Sequence, residues 1–314
     1  YISWYYYMKN NLSNIKKALK YLNKNECIGM PTETVYGLAA NAYSSAATAK
    51  IFRLKKRPKK NPLIVHYYDL KLLKKDCELN ELFLKLYKKY SPGPISYILK
   101  LKKDSSISKN VTNQKKTLAV RFPSHPLARK LLKELNYPLA APSANISTKI
   151  SPVSSNDVME EFGKKIRVVL DGGKSKIGIE STVIDLTGKP KILRPGVFGY
   201  HDFKKILKVK SFKKNKLIKS PGMLEKHYSP GIPIILNKNP KNKNDAHVVF
   251  GNKFKGKKNK FNLSKKANLN EAASNLYRIL RDIKNKGYKK IYVSKIPNKG
   301  PGIAINDRLR KAAK

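Results

Sequence analysis

The chain has 314 residues, 40% of them hydrophobic, which is enough for about two domains that each bury an apolar core. Its 68 Lys and Arg against 20 Asp and Glu give a formal net charge of +48 at pH 7. Such a charge favours the binding of polyanions such as nucleotides or RNA. The lysines are scattered along the whole chain, however, which also fits a general compositional bias. The chain has only two cysteines, which argues against a disulfide framework. It has no apolar run of about 18 residues, which argues against a membrane span, and no histidines at ligand spacing, which argues against structural zinc. We therefore expect a cytoplasmic protein.

Helix and strand patterns alternate along the first two thirds of the chain. Ser44 or Ser45 can cap a helix that ends before Pro58, since a residue preceding proline avoids the helical region. We expect further helices at 12–23 and 125–136, and strands at 63–66, 97–101, 117–122 and 138–141. This alternation is typical of the α/β class. Residues 1–7 precede Met8 and are expected to be an upstream extension, so the predicted first domain covers 8–210.

The composition of the sequence changes near residue 200, and residues 204–220 are very rich in lysine. A lysine-rich stretch leads into SPGMLEKHYSPG, which has no helix or strand period and predicts a linker over 211–231. Strand patterns return at 232–236, 247–250 and 291–293, with an amphipathic helix over 269–283 that Gly287 can end. These elements predict a second, smaller α/β domain over 232–314.

The segment PTETVYGLAANA places the hydroxyls of Thr32, Thr34 and Tyr36 inside an apolar strand pattern. A buried hydroxyl without a partner costs about 1 to 3 kcal/mol. The cluster therefore indicates either a turn that satisfies its own hydroxyls or a polar ligand.

Basic residues occur where the next helix gives way to a strand, in KKRPKKNPLIVH. Lys55 and Arg57 provide a point charge and a two-pronged donor, which is the chemistry that receives phosphate oxygens. Asn61 and His66 follow directly, so a titratable group lies at the same sheet edge, where α/β proteins bind ligands. An exposed basic loop is the competing interpretation.

Two later segments repeat this combination of small and polar residues. One is DGGKSKIGIESTVIDL, a glycine-rich loop that leads into a strand in which Ser181 and Thr182 interrupt an apolar run. AAPSANISTKISP offers Ser143, Asn145 and Ser151 after a small strand, and a plain turn is the alternative. Two arginines, Arg121 in LAVRFP and Arg194 in LRPG, interrupt apolar runs and require an anionic partner.

Seven motifs together resemble one protein family. PTETVYGLAANA, KKRPKKNPLIVH, SPGPISYIL, LAVRFP, PLAAPSANIS, GIESTVIDL and LRPG follow the order and approximate spacing of the YrdC-domain family. SPGMLEKHYSP and the second domain look like its two-domain members, the L-threonylcarbamoyladenylate synthases, over residues 12–314. The resemblance implies a YrdC-like twisted mixed sheet with helices around a concave basic pocket, plus a smaller Rossmann-like α/β C-terminal domain.

The activity implied by the resemblance is that of a nucleotidyltransferase. Family members convert L-threonine, bicarbonate and ATP to L-threonylcarbamoyladenylate and release pyrophosphate, with Mg²⁺ expected through the ATP phosphates and no metal ligand among the site residues. The product passes to a separate tRNA threonylcarbamoyltransferase complex, which modifies the adenosine next to the anticodon.

Motif matching also implies the site residues. The catalytic signature is expected at Lys55, Arg57, Ser143 and Asn145. L-threonine is expected to bind Thr34, His66, Arg121, Ala141 and Ser181, with its carboxylate on Arg121. ATP is expected to bind Arg57, Asn61, Thr117, Ser143, Ser151, Arg194 and Tyr228, with Tyr228 folding over the pocket as a lid. The hydroxyls of Thr32, Thr34 and Tyr36 would then be satisfied by substrate and by one another.

Two alternatives stay open at the level of sequence. One is an RNA-binding module with a vestigial nucleotide pocket, which the charge of +48 favours; weak RNA binding beside an enzymatic activity is compatible with the same charge. The other is a carbamoyl-adenylate-handling domain like those of hydrogenase maturation proteins, although the zinc-finger-like and acylphosphatase-like regions of those chains are not visible here.

Overall fold

The structure, a computed structural model, describes residues 14–207, 227–240, 242, 244–252 and 259–314. The described residues form two α/β units. The N-terminal unit contains an eight-stranded sheet, and the C-terminal unit contains a four-stranded sheet. The expected extension at 1–7 and most of the expected linker lie outside the described residues, so the domain boundaries stay predictions.

The N-terminal sheet is mixed and has the order β1-β2-β6-β3-β5-β4-β7-β8. Its strands are β1 Ile28–Met30, β2 Gly37–Asn41, β3 Ile64–His66, β4 Ile95–Lys100, β5 Thr117–Arg121, β6 Leu139–Ala140, β7 Thr182–Asp185 and β8 Lys191–Arg194. The pairs β3/β5 and β4/β7 are parallel, and the other named pairs are antiparallel. This architecture confirms the predicted mixed sheet.

Helices surround this sheet. They are α1 over 14–23, α2 Ser45–Lys55, α3 Leu70–Asp76, α4 Glu81–Tyr90, α5 Lys109–Thr112, α6 Pro126–Lys133, α7 Ser155–Phe162 and α8 Tyr200–Leu207. The predicted cap of α2 is confirmed, because the Ser44 hydroxyl accepts a hydrogen bond from the Ala47 N–H at 3.1 Å. The helix ends at Lys55, and its C-cap Lys56 adopts a left-handed conformation two residues before Pro58.

The two faces of the N-terminal sheet have different environments. Val65, Tyr97 and Val120 lie in the main apolar core. Their strand neighbours alternate to the opposite face, where Ile64 and Ala119 belong to a small separate cluster. This second face therefore carries polar side chains without disrupting the main core.

The C-terminal sheet is entirely parallel, with the order β11-β10-β12-β9. Its strands are β9 Ile234–Leu236, β10 Ala246–Val249, β11 Lys260–Asn262 and β12 Ile291–Val293, and its helices are α9 Leu269–Asn285 and α10 Pro301–Ala312. Parallel strands need crossover connections, and α9 supplies one between β11 and β12. The predicted Rossmann-like second domain is confirmed, while β11 and α10 are additions to the elements predicted from sequence.

The two units pack directly against each other. Val35, Ile150 and Ile179 of the N-terminal unit lie in the same apolar cluster as the buried faces of α9 and α10. Arg281 of α9 also contacts Asp157 of α7, with 3.3 Å between Nε and Oδ1. No described helix combines the length and the apolar character that crossing a bilayer requires.

A close backbone approach across this contact predicts that two glycine substitutions differ in their effect. Gly178 and Gly287 both have φ of 76°, but a Cβ on Gly178 would lie 2.6 Å from Ser274 Cα, whereas nothing lies within 4 Å of a Cβ on Gly287. We expect Gly287→Ala to lower the free energy of unfolding by about 1 kcal/mol. Gly178→Ala should lose an additional 1 to 3 kcal/mol or so because backbone must move. Urea unfolding of both variants measures the difference, and equal losses would contradict the close contact.

Candidate active site

A cavity lies between the open face of the N-terminal sheet and the described end of the linker. Its lining consists of Thr34, Val35, Arg57, Ile64, His66, Arg121, Ala141, Pro142, Ser143, Glu180, Ser181, Arg194, His227 and Tyr228. All five residues predicted to bind threonine line this one cavity, as do four of those predicted for ATP. Lys55, Asn61, Thr117, Asn145 and Ser151, which were also predicted, do not line it.

Strand register places the polar side chains in a row across the sheet. His66 of β3 pairs with Arg121 of β5, and Arg121 pairs with Ser96 of β4. Ser96 pairs with Val183 of β7, and Val183 pairs with Arg194 of β8. Four strand spacings separate His66 from Arg194, which is roughly 19 Å between backbones. The row is therefore long enough for a small molecule at one end and a polyphosphate at the other.

Arg121 is fixed from both sides by the PTETVYG segment. Its Nη1 donates to Thr34 Oγ1 at 2.8 Å, and its Nη2 lies 2.7 Å from Glu33 Oε1. The Glu33 carboxylate also accepts from the Ser124 N–H at 3.1 Å. The anionic partner that the sequence required is thus already supplied by Glu33. A guanidinium carries five N–H donors, so Arg121 still has donors for a carboxylate ligand.

The other hydroxyls of the PTETVYG segment have protein partners. Thr32 Oγ1 donates to the Val35 carbonyl at 2.6 Å and lies 2.9 Å from Thr34 Oγ1. Tyr36 OH donates to the Gly173 carbonyl at 2.7 Å and accepts from the Gly172 N–H at 3.0 Å. The Tyr36 hydroxyl therefore anchors a glycine loop, and of the three hydroxyls only that of Thr34 belongs to a residue that lines the cavity. A substrate contact of Tyr36 stays a prediction.

Ser181 connects two members of the row, Ser96 and Arg194. Its hydroxyl lies 2.8 Å from the Ser96 hydroxyl and accepts from Arg194 Nη2 at 3.0 Å. Arg194 Nε also donates to the Ser181 carbonyl at 3.0 Å. Ser181 therefore holds the guanidinium of Arg194 against the cavity wall.

Arg57 brings a second guanidinium to the end of the cavity where Arg194 lies. Its Nε donates to the Asn61 carbonyl at 3.0 Å, and its Nη2 donates to the Pro62 carbonyl at 2.9 Å. Burial and the nearby charge of Arg194 lower the pKa of Arg57 to about 9. Two buried cations that repel each other favour an anion between them. Asn61 contributes to this end by orienting Arg57 through its backbone.

Lys55 has a different environment from the one predicted. Its side chain is 1% exposed, and the ammonium donates to the backbone carbonyls of Ser143 and Asn145. Burial, and then the charge of Arg57, hold the pKa of Lys55 well below its usual range. The geometry differs from direct phosphate contact: Lys55 shapes the Ser-x-Asn loop that presents Ser143 to the cavity.

Three other predicted residues lie outside the cavity lining. Asn145 donates through Nδ2 to the carbonyls of Ile146 and Lys149 at 2.7 and 2.9 Å, and Ser151 donates to Glu180 Oε1 at 2.6 Å. Thr117 shares the face of Arg121 because strand side chains alternate, but it lies at the far end of β5.

Sequence reasoning missed both acidic residues of the site, Glu33 and Glu180. Each stands inside a motif of hydroxyl and apolar residues, PTETV or GIESTV. In a chain with only 20 Asp and Glu, a carboxylate in such a setting was the available signal, because it requires a buried cation as partner.

Several buried polar atoms around the cavity have no hydrogen-bond partner in the described part of the chain. Among them are His66 Nδ1, His227 Nδ1 and Tyr228 OH. Buried polar groups are normally paired, so atoms of this kind beside a cavity indicate a ligand. Tyr228 also has φ of 66°, a left-handed conformation that is uncommon for an aromatic residue. No group of three or more His, Cys, Asp or Glu side chains that could hold a metal occurs within the described ranges.

The N-terminal α/β domain has a polar cavity on its mixed sheet, and a C-terminal domain with a parallel sheet packs beside that cavity. This combination defines a two-domain YrdC-like protein. Residues 20–196 match the Sua5-YciO-YrdC family model, described as telomere recombination. Residues 195–314 match the model described as threonylcarbamoyl-AMP synthase, C-terminal domain. The chain therefore belongs to the Sua5-YciO-YrdC family, as its motifs predicted.

Individual relatives are similar over nearly the whole chain. The threonylcarbamoyl-AMP synthase of Pyrococcus abyssi is 36% identical over 322 residues, which covers 95% of this chain and 94% of that protein. The threonylcarbamoyl-AMP synthase of Bacillus subtilis is 34% identical, covering 98% and 94%. The crystal structure of P. abyssi Sua5 complexed with L-threonine matches with a TM-score of 0.85 and 35% identity, covering 95% of this chain and 94% of that one.

The buried histidines of the cavity predict how stability depends on pH. Burial, with the charge of Arg121 acting on His66, lowers the pKa of His66 and of His227 from 6.5 to about 3. Both rings are neutral in the folded state, whereas the unfolded chain binds protons below pH 6.5. Their contribution is complete above pH 6.5 and is lost as the pH falls toward 3, at about 1.4 kcal/mol per pH unit for each.

Urea unfolding at pH 7, 6, 5 and 4 tests this expectation. His227→Gln should show a shallower fall in the free energy of unfolding than the unchanged protein, and His201→Gln, at an exposed position of α8, serves as the control. Parallel curves for all three proteins would contradict a buried neutral His227.

Proposed function

We propose that this protein is a nucleotidyltransferase that makes L-threonylcarbamoyladenylate from L-threonine, bicarbonate and ATP. The observation that carries the proposal is one cavity in which Arg57 and Arg194 lie at one end and Thr34, His66 and Arg121 lie at the other. The names of the P. abyssi and B. subtilis relatives, and the L-threonine bound to the P. abyssi protein, support the same reaction.

The reaction has two bond-forming steps. The threonine amine attacks the carbon of bicarbonate, water leaves, and a carbamate results. A carbamate oxygen then attacks the α-phosphorus of ATP, and the bond to pyrophosphate breaks. Carbamates decay quickly in water, so alignment of the reactants and exclusion of solvent contribute more than a strong nucleophile on the protein.

The residues of the cavity fit these requirements. Arg121 would bind the threonine carboxylate with the donors that Glu33 and Thr34 leave, and Thr34 and Ser181 would hydrogen-bond its polar groups. A neutral His66 can accept a hydrogen bond from the substrate at Nδ1. Arg57 and Arg194 would bind the phosphates and offset the charge that develops on the leaving pyrophosphate.

Mg²⁺ is proposed only as the companion of ATP. The carboxylate on the cavity lining is Glu180, and it already receives hydrogen bonds from Ser151, Tyr277 and Arg308. Because Mg²⁺ sites use oxygen ligands and retain several waters, these residues do not fit a resident metal site, and the ATP phosphates would supply the ligands.

The product is an activated, short-lived acyl adenylate, so we propose that it passes to a tRNA threonylcarbamoyltransferase complex that modifies the adenosine next to the anticodon. The cytoplasm suits this chemistry, since ATP and tRNA are present and thiols such as the buried Cys27 and Cys77 stay reduced.

Pyrophosphate release from ATP, with Mg²⁺ and bicarbonate, tests the proposal. We expect release that requires L-threonine and that L-serine supports poorly. Arg57→Ala should lower kcat/KM for ATP by about 100-fold, the usual effect of removing one charge-stabilising donor. Arg53→Ala, on the exposed side of α2, is the matched control and should retain activity.

Release without any dependence on threonine would contradict the proposed reaction. An inactive protein whose salt-dependent RNA binding survives Arg57→Ala would instead favour the RNA-binding module, because one cavity residue contributes little to many phosphate contacts.

A further inference from the structure

The carboxylate of Glu180 connects the cavity to the C-terminal domain. Glu180 lines the cavity, and its oxygens accept hydrogen bonds from Tyr277 OH at 3.0 and 2.9 Å and from Arg308 Nε at 2.9 Å. Tyr277 belongs to α9 and Arg308 belongs to α10. Ser151 Oγ completes the set of donors at 2.6 Å. The C-terminal domain thus supplies two of the three side chains that hold this cavity residue.

The same two residues also support a second part of the cavity wall. The rings of Tyr228 and Tyr277 are stacked, with 5.9 Å between their centroids and 23° between their planes. The guanidinium carbon of Arg308 lies 5.2 Å from the centroid of the Tyr228 ring. Tyr277 and Arg308 therefore contact both Glu180 and Tyr228.

Stability alone is a weak explanation for this arrangement. Arg308 is 1% exposed, and a buried ion pair gains little over apolar packing of the same volume. The two domains already contact each other through an apolar cluster and through Arg281 and Asp157. Because this network holds a buried carboxylate at the cavity wall, its main effect is on the charge and geometry of the cavity.

The charge state of Glu180 shows what the network maintains. Burial by itself would raise the pKa of Glu180, but the charges of Arg308 and Arg194 and the hydrogen bond from Ser151 outweigh it and lower the pKa to about 2. Glu180 is therefore a fixed anion near Arg194. It accepts the hydrogen bond that the Ser151 hydroxyl donates, and it offsets part of the positive charge at the nucleotide end.

We propose that the C-terminal domain completes the active site, with Tyr277 and Arg308 as positioning residues that hold Glu180 and the Tyr228 ring in the geometry that binds the nucleotide. This inference rests on the proposed function and deepens it, because it gives the second domain a task in ATP binding. Neither residue contacts the reacting atoms in this scheme, so the effect should appear in nucleotide affinity rather than in the chemical step.

Tyr277→Phe is the most direct test, since it removes one hydroxyl and keeps the ring. Tyr292→Phe, in β12, removes a hydroxyl of the same domain that takes no part in the network. We expect Tyr277→Phe to raise KM for ATP, and Kd for an unreactive ATP analogue measured by calorimetry, by about fivefold to tenfold, as for the loss of one typical hydrogen bond. The value of kcat and KM for L-threonine should change less than twofold or so, and Tyr292→Phe should match the unchanged protein.

A second pair of variants separates charge from packing. Arg308→Lys keeps the cation and should retain part of the nucleotide affinity, whereas Arg308→Met keeps volume without charge and should lose more than Tyr277→Phe. If Arg308→Met does not fold, the Tyr277→Phe comparison still decides. Equal effects of Tyr277→Phe and Tyr292→Phe, or a loss of kcat and folding stability at constant ATP affinity, would overturn the inference.

The outcomes also distinguish this inference from the proposed function. An unchanged protein that binds the ATP analogue but releases no pyrophosphate with threonine refutes the proposed reaction, while the analogue affinities of the variants still test the network. A protein that binds no nucleotide refutes both.

Discussion

The buried positive charge on one face of the N-terminal sheet is the constraint on which the rest of the structure depends. Isolated buried charges cost several kcal/mol each, so each cation must find acceptors inside the protein. Lys55 is held by two backbone carbonyls, Arg57 by two others, Arg121 by Glu33, and Arg194 by Ser181. These acceptors lie in the loops that the motifs encode. The loops are therefore shaped by the need to stabilise cations as much as by the ligand they would bind.

Strand alternation makes this concentration of charge compatible with a stable domain. Each strand that contributes a polar residue to the cavity also contributes apolar residues to the opposite face, as Val65 does beside His66 and Val120 beside Arg121. A shift of one residue in the register of β5 would move Arg121 into the apolar core. The same register that builds the core therefore builds the site, and the two cannot be changed independently.

Local patterns predicted much of the fold, and they failed where long-range pairing decides. The helix α2 with its Ser44 cap, the helix α9 and the strand β12 follow from caps and periodicity that a short window contains. The partners of Arg121 and of Glu180 cannot be read from a short window, because Glu33 lies 88 residues from Arg121 and Arg308 lies 128 residues from Glu180.

The helix α10 was missed for a related reason: the buried Arg308 interrupts its apolar face, so the pattern resembles an exposed segment. Lys55 was recognised as part of the site but not as an inward-facing residue, since sequence carries no signal for carbonyls that converge on an ammonium.

The linker residues His227 and Tyr228 link the cavity to both domains at an energetic cost. The Ser229 N–H donates to the Thr148 carbonyl at 2.8 Å, which ties the segment to the turn after the Ser-x-Asn loop. Beyond this anchor, Tyr228 has a left-handed backbone, and its hydroxyl and His227 Nδ1 are buried without partners among the described residues. Each unpaired buried polar atom costs about 1 to 3 kcal/mol, and the cost disappears when a ligand supplies the missing hydrogen bonds or when the segment opens to water. A ligand in the cavity and opening of the segment would therefore relieve the same cost in alternative ways. Under the proposed reaction, a segment built in this manner would be held over the cavity most strongly when the cavity is filled, which is when the carbamate would need protection from water.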